Sequence, residues 1–343
     1  MTEWNTTKAQ AATQLLELIG MRLISESIHV AAALGVADLL ADRPKSADEL
    51  AEATGVSASS LRRVLRGLAT FNVFSQDSDG RFAMAPMGEF LKRDAAGSLH
   101  SAALFFGGER GAKVDELFLH SVKTGETAPQ TLSGGNWISW LQSKPEWTSL
   151  FNSMMTAYST LHLTGVLEAY DFSYAATIVD VGGGHGKIIS EILKRNPGMR
   201  GVLFDLSHAL EGGRSLIEQA GLADRCEVVS GDFFLSVPVG ADAYVLSRVI
   251  HDWSDEKAIA ILKIVRQAIA PEGRLILLEA MLRPDQRTVY PVLSDLNMLV
   301  RTGGCERTEA EYRVLYRSAG FELTRTVATI SPTGTTVIEG RPV

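Results

Sequence analysis

Residues 177–187 constrain this chain more than any other stretch. Thr177 to Val181 reads Thr-Ile-Val-Asp-Val, and Asp180 to Gly186 reads Asp-Val-Gly-Gly-Gly-His-Gly. A short apolar run of β-branched residues stopped by glycines predicts a strand buried on both faces. A helical pattern follows from Ile188 to Arg195, so the glycines open the backbone to a ligand at the strand's carboxyl end. Spacing then excludes two common nucleotide loops. A phosphate-binding P-loop needs glycine at 181 and Ser or Thr at 188, where Val181 and Ile188 stand. The Gly-x-Gly-x-x-Gly dinucleotide fingerprint needs glycine at 185 or 187, where His185 and Lys187 stand. What remains is Asp-x-Gly-x-Gly-x-Gly.

Strand and helix patterns alternate from there. Gly201–Asp205, Cys226–Val229, Ala243–Ser247 and Leu275–Glu279 read as strands, with helices over Arg214–Ala220 and Glu256–Ile269 between them. A helix at Glu309–Ala319 and strands at Phe321–Val327 and Thr335–Glu339 close the chain. This order predicts a largely parallel sheet covered on both faces. Acids recur at the strand ends. Asp205 can accept two hydrogen bonds from ribose hydroxyls. After the third strand come Gly231, Asp232 and Phe233, an acceptor for an adenine amino group and a ring to lie beside it.

The first third has a different character. Leu15, Leu16, Leu18, Ile19, Leu23, Ile24 and Ile28 recur at helical steps between Ala11 and Leu40, and Gly35 marks a stop. That stripe is broad, and either this chain or a second subunit can cover it. Residues 46–93 read as helix, turn, helix, hairpin: Ser46 and Glu49 make a capping box, and Asp77 to Gly80 turns the hairpin. That is a winged helix, and such a module can enter a DNA groove. Its charges argue otherwise. Arg62, Arg63 and Arg66 are offset by Asp48, Glu49 and Glu52, and Asp77 and Asp79 tip the wing. Residues 100–170 read as mostly helical and aromatic, with a loop from Thr124 to Gly135.

With 343 residues the chain has room for two domains. A net charge of −7 gives no reason to expect nucleic acid or an anionic membrane as partner. Two cysteines make no disulfide framework, and the opening residues resemble no export signal, so a cytoplasmic protein is expected.

Taken in order, Asp-Val-Gly-Gly-Gly, Phe-Asp-Leu, Gly-Asp-Phe-Phe, Ser-Arg-Val-Ile-His-Asp-Trp-Ser-Asp-Glu and Gly-Gly-Cys-Glu-Arg-Thr give the chain a specific likeness. It resembles the class I S-adenosylmethionine-dependent small-molecule O-methyltransferases of the caffeate and acetylserotonin O-methyltransferase type. The resemblance runs over essentially the full length. It implies an α/β, Rossmann-like domain with a mixed, mostly parallel seven-stranded sheet, preceded by a helical winged-helix dimerisation domain. The boundaries it implies are 1–100 for dimerisation, 101–165 for a helical linker and substrate-pocket region, and 166–343 for the catalytic domain.

Carried over by position, Tyr158, Gly182, Gly184, Asp205, Gly231, Asp232, Phe233 and Arg248 fall where the family binds its cofactor. Plant members have lysine at the position of Ser247, which leaves the contact open between Ser247 and Arg248. Met155, Asn297 and Met298 fall near substrate-pocket positions. His251 matches the catalytic base, and Glu279 and Glu306 match the two carboxylates that flank it. The implied reaction moves a methyl group from S-adenosylmethionine to an aromatic hydroxyl, leaving S-adenosylhomocysteine, in a homodimer without a metal. Neutral imidazole, with a reference pKa near 6.5, suits a base at neutral pH. N-methylation, a hydroxylating or decarboxylating use of the same fold, and a ligand-sensing regulator are the other readings. His162 and His185 are taken as incidental.

Overall fold

In the computed structural model residues 6–210, 212–284 and 289–343 are described, and the chain divides into two compact units, Met1–Lys113 and Val114–Val343.

In the first unit a helix runs from Thr6 to Ala33, earlier than the apolar stripe predicts, and Gly35 breaks it in the left-handed region at φ 65°. Its carboxyl-terminal end joins a core of Leu50, Leu61, Leu65, Leu68, Phe74 and Phe82. Upstream, Leu15, Leu16, Leu18, Ile19 and Leu23 lie exposed, each by more than half of its surface. The winged helix forms as read: helices Ala47–Thr54 and Ala58–Thr70, then strands β1 (Phe74–Gln76) and β2 (Phe82–Met84). The Ser46 capping box is present, and Asp77 Oδ1 closes the hairpin by accepting from the Asp79 and Arg81 amides. Arg62 pairs with Asp48 at 2.9 Å and Arg81 with Glu49 at 2.9 Å.

The second unit is built on seven strands: β3 (Thr177–Val181), β4 (Arg200–Asp205), β5 (Cys226–Ser230), β6 (Ala243–Ser247), β7 (Arg274–Ala280), β8 (Phe321–Ala328) and β9 (Thr335–Pro342). Their spatial order is β5-β4-β3-β6-β7-β9-β8; the first five are parallel, and β9 runs antiparallel to β7 and β8. Alternate side chains feed two cores, as strands covered on both faces require. Val179, Val181, Tyr244, Leu246, Leu275 and Leu277 pack with residues of helices Asp255–Ala268 and Glu309–Ser318. Ile178, Val245, Ile276 and Leu278 pack with residues of helices Pro145–Ala169 and Lys187–Arg195. The chain leaves β3 toward β4 and β5, then returns to β6 on the other side of β3. That reversal opens a crevice at the carboxyl ends of β3 and β6, where ligands bind in such sheets.

One expectation fails. Thr124 to Gly135 is not a plain loop, because Ala128–Ser133 is a helix with a capping box between Thr127 and Gln130. Pro129 sits in its first turn and Gly134, at φ 71°, caps its end. The residues that looked like loop punctuation are helix signals.

Candidate active site

The glycine loop turns sharply after β3. Gly182 and Gly184 have φ of 71° and 54°, which side chains resist. A β-carbon on Gly182 would lie 2.7 Å from Val249, whereas one on Gly184 would meet nothing within 4 Å. Gly184 thus faces the crevice with bare backbone. Asp205, ending β4, takes the Gly184 amide on Oδ2 at 2.9 Å and the Leu206 amide on Oδ1 at 2.7 Å. Two of a carboxylate's roughly four acceptor sites remain for a ligand's hydroxyls. Burial pushes the Asp205 carboxyl up, against the two amides that favour its ionised form.

Past β5, a β-carbon on Gly231 would lie 2.6 Å from the Phe204 ring. Asp232 Oδ1 accepts from the Phe234 amide at 2.8 Å. Phe233 and Phe234 form an aromatic wall with Trp253, at centroid distances of 6.2 and 4.8 Å from the indole. Sequence reasoning gave Trp253 no role, although it stands two residues after His251.

Arg248 follows β6 at φ 55°, a strained position for a non-glycine residue. Its guanidinium lies 5.4 Å from the Tyr158 ring and 5.9 Å from that of Tyr290. Nε and Nη1 are buried without a hydrogen-bond partner among the described residues. Burial opposes its charge, but Tyr290, Glu306, Tyr158 and Glu279 outweigh that and hold it protonated. One turn beyond Tyr158 lies His162, fully buried, where burial and the charge of Arg248 outweigh a hydrogen bond to the Tyr158 backbone and push the imidazole down to about 3. His185 ties the glycine loop to the same helix through Thr156 Oγ1 at 3.2 Å.

His251 sits in the short 3-10 turn Ile250–Asp252, 2% exposed. Glu306 Oε1 meets its Nδ1 at 2.7 Å and also accepts from Ser294 Oγ at 2.6 Å. Glu279 Oε2 stands 3.7 Å from the same nitrogen, while its Oε1 accepts from the Val249 and Ile250 amides. The two acids therefore differ: Glu306 orients the ring, and Glu279 shapes the turn that carries it. Asp252 lies 3.7 Å from Nε2. The expectation of an ordinary imidazole pKa needs correction. Burial lowers it, but Glu306, Glu279 and Asp252 raise it more, to about 9. Glu279 is itself pushed up to about 7 by burial, and His251 holds Glu306 below the usual carboxylate range against its own burial.

Two residues without a predicted role hold this turn. Arg307, 1% exposed, donates to the Ile250, Trp253 and Cys305 carbonyls and to Asp255. A β-carbon on Gly304 would fall 2.0 Å from the His251 carbonyl oxygen, so only glycine admits that approach. Asn297 and Met298 lie on helix Tyr290–Arg301 with Ser294, and Asn297 Oδ1 accepts from Arg301 Nε. Met155 lies half-buried on helix Pro145–Ala169, one turn before Tyr158. Ligand atoms of His251, Glu279 and Glu306 lie within 4.8 Å of one another, close enough to hold a metal ion.

A crevice at the carboxyl ends of β3 and β6, beside a buried histidine–carboxylate centre, sits where doubly wound sheets bind their ligands. Residues 123–322 match the family profile of the O-methyltransferase domain, and residues 16–94 that of the O-methyltransferase dimerisation domain. Phenazine O-methyltransferase PhzM of Lysobacter antibioticus is 38% identical over 344 residues, 100% of each chain. A solved O-methyltransferase of neocarzinostatin biosynthesis, in complex with S-adenosylmethionine and 2-hydroxy-5-methyl naphthoic acid, is 31% identical. It covers 94% of this chain and 96% of its own, with a TM-score of 0.78. The 8-amino-8-demethylriboflavin N,N-dimethyltransferase of Streptomyces davaonensis is 33% identical, over 86% of each chain. The chain belongs to the O-methyltransferase family and is an S-adenosylmethionine-dependent methyltransferase.

Proposed function

We propose that this enzyme methylates a phenolic hydroxyl of a small aromatic acceptor with His251 as general base. The observation that carries the proposal is the 2.7 Å contact between His251 Nδ1 and Glu306 in a buried turn. It commits Nδ1 to the carboxylate and leaves Nε2 for the acceptor's proton. Bound S-adenosylmethionine supplies an electrophilic methyl on a sulfonium, so the acceptor oxygen gains that carbon as the C–S bond pair returns to sulfur. The phenol proton passes to His251 Nε2, and Glu306 stabilises the imidazolium.

The residues present fit that cofactor. Gly184 gives it bare backbone on a loop that Gly182 turns, Asp205 has acceptor sites for ribose, and Gly231, Asp232, Phe233 and Trp253 suit the adenine. Tyr158 and Arg248 border its amino-acid end. Met155, Asn297 and Met298 are assigned to the acceptor. No metal is needed in this reading, because His251 supplies the base and Glu306, at 2.7 Å, its charge partner. The exposed stripe on helix Thr6–Ala33 supports a homodimer, and the paired arginines of the winged helix support a structural rather than a DNA-binding module. A cytoplasmic enzyme without nucleic-acid or membrane partners completes the proposal; no helix among the described residues is long and apolar enough to cross a membrane.

The N,N-dimethyltransferase relative favours a second reading, transfer to an aromatic amine. Methyl-labelled cofactor offered with bi- and tricyclic phenols and their matching arylamines separates the two. Labelled methyl ethers are expected. Label on amines alone moves the assignment to nitrogen, and a panel without transfer despite cofactor binding counts against both.

A further inference from the structure

Helix Tyr290–Arg301 turns one face inward. Ser294, Asn297, Met298 and Arg301 follow one another at helical steps of three and four, and each is buried or half-buried. Ser294 donates to Glu306 Oε1, the oxygen that meets His251, so one end of this face reaches the proposed base. Arg301 ends the face two turns later, about 10 Å further along the helix axis.

Arg301 is 5% exposed, and a cation so deeply buried is ordinarily paired with a buried anion. Its Nε donates to Asn297 Oδ1 at 2.5 Å, a neutral acceptor. Asp115 Oδ1 stands 3.8 Å from Nη2, beyond hydrogen-bonding reach, on a side chain that is 64% exposed. The Trp137 ring lies 5.9 Å from the guanidinium. Burial outweighs what Asp115 and Tyr158 return, and it pushes the guanidinium down to about 10. Arg248 and Arg307 behave in the opposite way, since their neighbours outweigh burial and hold them above the ordinary arginine value. A buried charge answered only in part costs stability, and an anion brought by a ligand would answer it.

Resting on the assignment of this helix face to the acceptor, we infer that the acceptor carries a carboxylate and that Arg301 binds it. The planar guanidinium presents its donors in a fork that matches a carboxylate's two oxygens. With the hydroxyl at His251 and the carboxylate at Arg301, the ring is fixed from both ends. Arg301 is thus a specificity residue, remote from the reacting oxygen. The substrate class becomes the hydroxyarenecarboxylates rather than neutral phenols.

The test compares an acid with its own methyl ester, which keeps the ring and the hydroxyl and removes the charge. The probes are 4-hydroxybenzoate and 6-hydroxy-2-naphthoate, each against its ester, with binding read by calorimetry on the full chain saturated with S-adenosylhomocysteine. At least one acid is expected to bind at least about tenfold more tightly than its ester, the scale of a hydrogen bond to a charged group. In R301Q that preference should fall to near parity. R301K keeps the charge without the fork and should retain only part of it. The affinity of each variant for S-adenosylhomocysteine reports an intact fold.

Acids that bind the wild type no better than their esters overturn the inference without any substitution. So does a preference that survives in folded R301Q. Should R301Q fail to bind S-adenosylhomocysteine, R301K decides, and an undiminished preference there overturns the inference. Labelled methyl transfer separates this outcome from the function it rests on. Esters methylated as well as acids discard the carboxylate and keep phenol methylation, whereas acids bound through Arg301 but never methylated do the reverse.

Discussion

At the scale of single residues, the centre is governed by the charge around His251. Three carboxylates raise the imidazole to about 9, so the free enzyme at neutral pH carries His251 protonated. A base must lose its proton before it can act, which places the acid limb of kcat/KM near pH 9 rather than 6.5. Removing a carboxylate lowers the imidazole pKa, so Glu306→Gln should shift that limb to lower pH. The cofactor's positive charge works in the same direction, and the limb of kcat is expected below that of kcat/KM. A wild-type limb at 6.5 that Glu306→Gln does not move would contradict this account. His251→Ala should cut turnover by about 10²–10⁴-fold while leaving S-adenosylhomocysteine affinity unchanged, because the ring serves the acceptor. More acidic phenols should partly restore that variant's rate. Chelators should leave wild-type activity intact, and a chelator-sensitive rate restored by a divalent ion would make the same three side chains metal ligands.

At the scale of elements, the turn that carries His251 is held between β6, β7 and the segment 304–307. Glu279 closes it from below through two amides, and Arg307 bridges three carbonyls across it. Deleting the Arg307 side chain would leave those buried carbonyls short of a donor, at about 1–3 kcal/mol for an unsatisfied group. Arg307→Ala is expected to lose at least about 3 kcal/mol in urea unfolding, and Arg307→Lys to recover part of it, since an ammonium cannot reproduce the fork. Gly304→Ala tests the same bracket from the other side. Its β-carbon would force the His251 carbonyl away, so turnover should fall while cofactor affinity, which we assign to the glycine loop and Asp205, changes little. Wild-type turnover in folded Gly304→Ala would show that the turn tolerates displacement.

At the scale of the molecule, helix Thr6–Ala33 presents leucines that this chain leaves in water. Burying each such side chain stabilises by roughly 1.5–3 kcal/mol, and five on one helix make a strong association surface. Light scattering should therefore return about twice the chain mass of 37.1 kDa. Leu18→Glu with Leu23→Glu should yield a monomer that retains the winged-helix core, because neither residue belongs to it. A wild-type monomer at micromolar concentration would refute this use of the stripe.

Local pattern determined a good deal by itself. The glycine loop, the strands and the acids at their ends are legible because strand period, turn chemistry and ligand access are properties of adjacent residues. The separate strands and the winged helix follow from the same signals, as does the capping box at Ser46, whereas the single mixed sheet of seven came from the family resemblance. Local reading misplaced Pro129 and Gly134, which bound a helix rather than a loop, because caps and loops draw on the same residues. The rest needed tertiary contact. His251 and Glu306 lie 55 positions apart, and their 2.7 Å contact depends on how 304–307 folds against the turn after β6. The division of labour between Glu306 and Glu279, the grip of Arg307, the wall of Phe233, Phe234 and Trp253, and the buried pair His162 and Arg248 have no one-dimensional signature. Protonation is the clearest case. A residue type carries a reference pKa, but burial and neighbouring charges set the working value, and only the folded chain brings those charges together.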